Sequence, residues 1–267
     1  MARLFDDASS QYLYYNGAVV SAVPFTMACW VYSDNLTIKQ QPISLNIQDA
    51  GPYAGFWLQL DGSYAGDPVV ARAYDGTSGD ARTTTGYSAN TWHHACAVFS
   101  ATNARAAYID GGSKGVNSTE VTPTVNNTTI GAEYGWSGTQ NVVYTPTSGK
   151  IAEVGIWNVA LTDAEVAILA KGVSPRSVRP ESLVFYAPLW RDEDEDFIGG
   201  LSLSAPNGAG IADHPRVFYL ATPQIGKTAA AGGGVISEIA TVSWANVGQF
   251  AGIAEASIAQ IAGVIAN

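Results

Sequence analysis

FTMACWVY, residues 25–32, is a run of aromatic, sulfur-containing and β-branched side chains whose length suits one β-strand. Such residues fit the pleated, half-buried surface of a sheet. Comparable runs are separated by turn clusters such as DGTSGD (75–80) and IDGGSKG (109–115). Short strands with this punctuation predict an all-β fold, either a sandwich or a barrel. The further strand runs are GFWLQL (55–60), DPVVARAY (67–74), HHACAVFS (93–100), ARAAYID (104–110), NTTIGAEY (127–134), KIAEVGIW (150–157) and SLVFYAPLW (182–190).

One segment departs from the strand pattern and predicts a single short helix. LTDAEVAILAKG, residues 161–172, offers Thr162 or Asp163 as the N-cap, Glu165 in the first turn and Gly172 at the C-terminal end. Side-chain oxygens at an N-cap accept backbone N–H bonds, and glycine commonly ends a helix. Because about two and a half turns cannot form a layer of their own, we expect the helix to pack on a sheet edge.

Composition limits the classes of partner. Charged residues make up 13% of the 267 residues, and the net charge is −10. Nucleic-acid binding requires a cluster of Lys and Arg, which the sequence lacks, so we expect no nucleic-acid partner. MARLFDDASSQYLYY (1–15) lacks the apolar segment of a signal peptide, and no apolar run reaches about 18 residues. We therefore expect neither a secretion signal nor a membrane span.

The composition changes at residue 221, where ATPQIGKTAAAGGG (221–234) reads as a flexible linker. The segment 235–267 that follows repeats with a period of 11 residues in three copies. A repeat this small cannot bury its own apolar side, so we expect the tail to bind other proteins or copies of itself. Its apolar positions are Ile236, Ile239, Val242, Val247, Phe250, Ile253, Ile258, Ile261 and Val264.

The conformation of this tail stays open between two alternatives. An 11-residue period fits a right-handed helical supercoil. Gly248, Gly252 and Gly263 argue against one continuous helix and favour short turns with extended pieces.

Six segments, taken in order, resemble the laminin-G-like (concanavalin A-like) domains. They are FTMACWVY (25–32), Thr91-Trp92-His93-His94 with the strand that follows, AAYIDGG (106–112), IGAEYG (130–135), GKIAEVGIWNVALTDAEVAIL (149–169), and the segment from LVFYAPLW (183–190) to GIADHPRV (210–217), which resembles the last strands of microbial and viral members. The resemblance covers residues 1–220 and implies a jelly-roll sandwich of two antiparallel sheets with one short helix. Members of this type with such a C-terminal repeat resemble bacteriophage virion components.

Histidines are the first candidates for chemistry. His93 and His94 are neighbours on a predicted strand, so they face opposite sides of the sheet and cannot bind one metal ion together. The resemblance implies a structural role, with one ring in the core and one at the surface. His214 precedes a proline in an extended loop, where we expect a hydrogen-bonded packing role.

Residues 192–196, DEDED, form the dense acidic run of the chain. Its carboxylates at Asp192, Asp194 and Asp196 suit Ca²⁺ as hard oxygen ligands, although the spacing is not that of an EF-hand loop. A solvated acidic turn is the favoured alternative. Contiguous carboxylates in a loop cannot form the facing pair that cleaves glycosides, and nucleophile motifs are absent, so we expect no enzyme activity.

The two cysteines, Cys29 and Cys96, are compared with the disulfide-bearing pentraxins that share this fold. In those proteins a cysteine lies three residues after the phenylalanine of the first motif, and here that position is Ala28. Cys29 is one residue later and faces the other side of the sheet. Two buried thiols are therefore favoured over a disulfide.

Aromatic residues in or beside turns are the candidates for glycan binding, because sugars stack on ring faces. The alternative is that they cover the sandwich as half-buried side chains. Tyr134 and Trp136, in the Gly-rich segment EYGWSGTQN (133–141), are the predicted glycan-binding pair. The other aromatics in such positions are Tyr53, Trp57, Tyr64, Tyr74 and Tyr87.

Two functional hypotheses follow. The first is a non-catalytic bacteriophage virion structural protein, a capsid decoration or tail-appendage subunit. It would be made in the host cytoplasm, displaying the sandwich and anchored through residues 235–267. The second is a lectin-like adhesion module that recognises cell-surface carbohydrate.

Overall fold

The computed structural model describes residues 2–49, 51–190 and 194–218. Asp192, the predicted linker and the predicted repeat tail lie outside the described residues. The strands are β1 (Ala2–Phe5), β2 (Leu13–Tyr15), β3 (Phe25–Ser33), β4 (Lys39–Asn46), β5 (Gly55–Asp61), β6 (Pro68–Tyr74), β7 (Ser78–Gly86), β8 (Trp92–Ala101), β9 (Ala104–Ile109), β10 (Gly112–Asn117), β11 (Asn127–Ile130), β12 (Glu133–Trp136), β13 (Asn141–Tyr144), β14 (Gly149–Trp157), β15 (Leu183–Ala187) and β16 (Gly210–Ala212). One helix, α1 (Asp163–Ala170), and one 3₁₀ turn, Pro175–Ser177, complete the described elements.

Two antiparallel sheets and one hairpin contain these strands. Sheet A has the order β10-β9-β8-β3-β14-β1-β16, with β15 also paired to β14. Sheet B has the order β2-β11-β4-β5-β6-β7, and β12 pairs with β13 in a separate hairpin. The prediction of an all-β jelly-roll sandwich with one short helix is confirmed.

The main core lies between the two sheets, and the period-two alternation of strand residues explains it. On β3, Phe25, Met27 and Cys29 point inward at alternate positions. The Phe25 ring stacks on Phe99 of β8 at 4.7 Å and meets Phe56 of sheet B edge-on at 4.9 Å. Such aromatic pairs add packing energy to the area that they bury.

A second apolar cluster covers the outer face of sheet A. Helix α1 begins with the capping box that its sequence predicts, with Thr162 and Glu165 each accepting the other's backbone N–H. Val166 and Leu169 of the helix pack on Trp157. The helix therefore lies on a sheet face, and the expectation that it packs on an edge is wrong, because outward-facing apolar residues of β8 and β14 extend the cluster.

The predicted strand run at 127–134 is divided in the structure. Gly131 has a φ of +86°, and a Cβ there would lie 2.5 Å from the Phe5 ring. The chain turns at this glycine, so that β11 stays in sheet B while β12 starts the hairpin.

Strand β14 lies near the centre of sheet A, and two different strands pair with successive parts of one of its edges. Its residues 149–151 pair with β1, and its residues 154–157 pair with β15. Glu153 lies between them in a left-handed conformation, with a φ of +55°. On the other side of β1 lies β16, so the first and last strands described are hydrogen-bonded neighbours.

Candidate functional site

The β12–β13 hairpin covers one half of the outer face of sheet B. Ser44 Oγ of β4 donates a hydrogen bond of 2.8 Å to the Ala132 carbonyl. The Asn46 and Asn127 side-chain amides each donate a bond of 2.6 Å to the Tyr134 carbonyl. These polar side chains of β4 and β11 hold the hairpin, while the outer faces of β5, β6 and β7 lie beyond it.

Strand register places a row of functional side chains on those three strands. Trp57 of β5 pairs with Arg72 of β6, and Arg72 pairs with Asp80 of β7. Alternation along the strands adds further residues to the same face, and two loop tyrosines lie over it. We call this surface the sheet B platform: Tyr53, Trp57, Tyr64, Arg72, Tyr74, Asp80 and Arg82.

Aromatic rings and a guanidinium group form the centre of the platform. The Tyr53 ring lies nearly parallel to Trp57 at 5.7 Å and 5.5 Å from Tyr74. The Arg72 guanidinium carbon lies 5.8 Å from the Trp57 ring and 5.6 Å from the Tyr74 ring. Tyr53 is 41% exposed and Trp57 is fully buried beneath it. Exposed rings over a fixed aromatic base are suited to stacking against a ligand.

The platform carries more positively charged than negatively charged side chains. Asp80 Oδ2 lies 3.3 Å from Arg72 Nη1 and 2.8 Å from Arg82 Nη2. Asp80 Oδ1 accepts a 2.9 Å bond from Ser78 Oγ. Two guanidinium groups therefore share one carboxylate.

Glu133 joins the hairpin to the platform. Its side chain is buried, and the Tyr53 hydroxyl donates a 3.0 Å bond to Oε2. Burial raises the pKa of Glu133 from 4.5 to about 7, against smaller lowering effects of the Tyr53 and Gln41 hydrogen bonds and the Arg72 charge. The carboxyl group is therefore largely protonated below neutral pH.

The predicted glycan pair lies on the hairpin. Tyr134 and Trp136 alternate with buried residues on β12, and both are half-buried. The Tyr134 ring lies 5.1 Å from Tyr12 and 5.2 Å from Tyr14. Burial is the main cause that raises the pKa of Tyr12 to about 12. The glycan role of this pair stays a prediction, and its surface is distinct from the platform.

The other aromatic candidates separate into two groups. Tyr53, Trp57, Tyr64 and Tyr74 come together on the platform, whereas Tyr87 is buried in the main core. The sequence identifies these residues only as separate aromatic side chains, because their grouping depends on strand register. It gives no such signal for Arg72, Asp80, Arg82 and Glu133.

The two adjacent histidines face opposite sides, as predicted. His94 is buried edge-on against Trp30 at 5.6 Å. Burial lowers its pKa to about 4, against the opposing charge of Asp110. The Nδ1 atom of His214 lies 2.7 Å from the carbonyl oxygen of the next residue, Pro215, and its Nε2 atom lies 3.2 Å from Glu153 Oε1.

His93 forms a Ser–His–Asp arrangement that the sequence did not reveal. Its Nδ1 lies 2.7 Å from Asp110 Oδ2, and its Nε2 lies 2.9 Å from Ser88 Oγ. The Ser88 backbone N–H also donates to Nε2, at 3.1 Å. The backbone N–H and the hydroxyl of Ser88 thus compete for one nitrogen lone pair, and both contacts tie the Ser88 loop to β8.

Asp194 and Asp196, the described aspartates of the acidic run, both have partners within the protein. Asp194 pairs with Arg3 at 2.7 Å. Asp196 is buried, not solvated, because it accepts bonds from the Tyr186, Ile198 and Gly199 amides. The described residues contain no group of three His, Cys, Asp or Glu side chains that could hold a metal ion. Asp194 and Asp196 thus have separate protein partners, and the Ca²⁺ site with Asp192 stays a prediction.

Cys29 and Cys96 are free, buried thiols, as expected. The register pairs Cys29 with Ala95 and Ala28 with Cys96, which places the two thiols on opposite faces of sheet A. Burial raises the pKa of both.

The two packed antiparallel sheets form a jelly roll, and the sequence of the chain matches a family model. Residues 7–167 match the model of a family described as the Concanavalin A-like lectin/glucanases superfamily. Because this match covers more than half of the 267 residues, the chain belongs to that superfamily. The resemblance drawn from the ordered strand motifs is confirmed.

Solved structures share this fold at low sequence identity. A protein from Bacteroides ovatus, proposed to bind carbohydrate, aligns with a TM-score of 0.59 and 18% identity over 80% of this chain and 59% of that one. This chain thus spans about three fifths of the length of that protein. The heptameric SAP-like pentraxin of Limulus polyphemus has a TM-score of 0.52, 15% identity, and coverage of 76% and 89%. Mouse laminin α1 domains LG4-5 have a TM-score of 0.43, 10% identity, and coverage of 58% and 40%.

Curated protein sequences contain no match to the chain. No helix in the described ranges has the length and apolarity needed to span a membrane.

Proposed function

We propose that the sandwich is a non-catalytic carbohydrate-binding domain and that the sheet B platform is its binding surface. The observation that carries this proposal is the arrangement of Tyr53, Trp57 and Tyr74 beside Arg72 and Asp80 on one sheet face, with Tyr53 exposed above the buried Trp57. Sugar rings present an apolar face that stacks on aromatic rings and hydroxyl groups that need fixed donors and acceptors. The platform supplies both.

The fold agrees with this proposal. The family is one of lectins and glucanases, and the Bacteroides ovatus structure with the same fold is proposed to bind carbohydrate. Fold likeness alone does not assign a ligand. The aromatic and charged residues of the platform therefore carry the proposal.

The carboxyl groups at the platform favour binding over hydrolysis. Asp80 is bound by two guanidinium groups, and Glu133 is buried with its Oε2 bonded to the Tyr53 hydroxyl. Glycoside hydrolysis needs a facing pair of accessible carboxyl groups, one as acid and one as nucleophile or base. Neither Asp80 nor Glu133 is available in that form.

A glycan array followed by titration calorimetry tests the proposal. The wild-type protein should retain at least one oligosaccharide, and Tyr74→Ala should weaken that binding about fivefold, since one lost stacking contact is worth about 1 kcal/mol. Trp136→Ala is the matched control, because it removes an aromatic side chain from the hairpin and leaves the platform intact. Loss of binding in Trp136→Ala alone would move the site to the predicted hairpin pair. No retained sugar at all would overturn the proposal.

The apolar repeats of the sequence favour a second, compatible candidate function. In it the chain is a bacteriophage virion protein, a capsid decoration or tail-appendage subunit, anchored by residues 235–267 to other virion proteins or to copies of itself. Deletion of residues 222–267 should abolish incorporation into particles while the sandwich still folds. Normal incorporation of the truncated chain would contradict this role.

A further inference from the structure

The sheet B platform is locally cationic on a protein whose net charge is −10. Arg72 and Arg82 both contact Asp80, and the two guanidinium groups keep side-chain exposures of 22% and 33%. One carboxylate cannot neutralise two guanidinium groups. About one positive charge therefore remains at the open surface.

Further charged groups lie around the platform. Arg105 is buried at the sandwich edge, where it donates to the neutral oxygens of Asn117, Thr102 and Thr119. The charge of Asp80 acts on Arg105 as well, ahead of those of Glu120 and Asp75. Glu133 adds little negative charge below neutral pH, because burial favours its protonated form.

Aromatic rings lie close to both guanidinium groups. The Arg82 guanidinium carbon lies 4.6 Å from the Tyr64 ring centre, and that of Arg72 lies 5.8 Å from the Trp57 ring and 5.6 Å from the Tyr74 ring. A guanidinium group that stacks on a ring keeps its N–H edge available for a planar, two-point bond to a carboxylate. Arg82 Nε and Trp57 Nε1 are buried, so the donors for a ligand come from the partly exposed remainder of the Arg72 and Arg82 side chains.

From this charge, stacking and donor pattern, we infer that the platform selects saccharides that carry a carboxylate, such as those built from uronic or sialic acids. The ligand carboxylate binds Arg72 and Arg82, and its sugar ring stacks on Tyr53 and Tyr74. This inference rests on the proposed carbohydrate-binding function and specifies the chemical class of its ligand.

The test compares ligands that differ in charge alone. Oligogalacturonate is titrated into the full chain beside the same oligosaccharide with its carboxyl groups reduced, and sialyllactose is titrated beside the same trisaccharide with its carboxyl group reduced. We expect the acidic member of at least one pair to bind about tenfold tighter, and raised salt to remove most of this preference. A sulfated galactan is the third ligand, and equal binding of it would overturn selectivity for carboxylate.

Three substitutions assign the preference to the platform. Arg82→Gln and Arg72→Gln should each weaken acidic-sugar binding about tenfold and leave binding of the neutral partner within about twofold. Asp80→Asn should strengthen acidic-sugar binding severalfold, because it removes the competing carboxylate. Lys150→Gln is the matched control: Lys150 lies 4.3 Å above the Tyr32 ring on sheet A, and its loss should change nothing.

The outcomes separate this inference from the function on which it rests. If neutral and acidic partners bind equally, or if both arginine variants retain the preference, the inference is wrong while carbohydrate binding stands. If neither kind of sugar binds, the proposed function falls as well. Thermal melts identify any variant that fails to fold, and the salt dependence of the wild-type protein tests the charge preference without a substitution.

Discussion

The outer faces of the two sheets differ in what covers them. On sheet A, helix α1 and the segment after it bury a second apolar cluster around Trp157 and Leu169. On sheet B, the hairpin is held by polar side chains, and β5 to β7 present rings and charges. One face of this sandwich thus carries an apolar cover, whereas the other carries the aromatic and charged groups of the proposed binding surface. The same fold accommodates both because each sheet needs only its inner face for the core.

The largest expected effect is on the sheet A side. Trp157 is fully buried, and its indole N–H donates a 2.7 Å bond to the Val178 carbonyl. Trp157→Ala should lower the free energy of unfolding by about 3–5 kcal/mol, because it leaves a large cavity and an unpaired carbonyl. Tyr74→Ala on the platform should cost about 1 kcal/mol or less. Equal losses in denaturant titrations would contradict the division between the faces.

The next effect concerns pH and lies on sheet B. Because the pKa of Glu133 is raised from 4.5 to about 7 in the folded protein, folding favours the protonated acid. Its contribution to stability is present below about pH 4.5 and is lost as the pH rises through about 7, a loss of up to about 3 kcal/mol. Glu133→Gln should remove this slope and make the protein more stable than wild type at pH 8. Denaturant titrations at pH 5 and pH 8 measure the change, and an unaltered slope would show that another group is responsible.

A smaller effect tests how firmly the helix covers sheet A. The Thr162 side chain accepts the Glu165 backbone N–H, and Thr162→Ala removes this cap. We expect a loss of about 1 kcal/mol in the free energy of unfolding and no change in sugar binding. A change in sugar affinity would mean that the two faces are coupled. Thermal melts and calorimetry on the same sample distinguish these results.

The smallest effect is expected at Ser88, at the rim of sheet A. In Ser88→Ala the backbone N–H still donates to His93 Nε2, so the stability loss should be about 0.5 kcal/mol or less. The wild-type protein should also fail to react with a fluorophosphonate probe for activated serines. Labelling that disappears in Ser88→Ala would assign this arrangement a catalytic role.

Short local sequence patterns made much of the fold predictable. The β3 and β8 strands stand out because aromatic and β-branched residues crowd them, and the helix stands out because its capping box is local. By contrast, β4 (KQQPISLN) and β7 (SGDARTTTG) give no such signal, since polar residues of β4 pack under the hairpin and polar residues of β7 form part of the platform. Local propensity cannot report a partner that comes from elsewhere in the chain.

The candidate site was less predictable for the same reason. Sequence analysis named Tyr53, Trp57 and Tyr74 as aromatics near turns, but only cross-strand register places them together. Glu133 gives no local signal either, because its burial depends on a hairpin packing against a distant sheet. The candidate site depends on contacts between segments remote in sequence, whereas the strand motifs are short and continuous.

The pairing of β1 with β16 has a consequence for the order in which sheet A can form. β1 is hydrogen-bonded on one side to β14, through Arg3 with Ile151, and on the other side to β16, through Ala2 with Ala212. Both partners are remote from β1 in sequence, so these pairings close long loops, and long-range strand pairing is slow. This edge of sheet A should therefore be completed late in folding, after the local hairpins from β4 to β7.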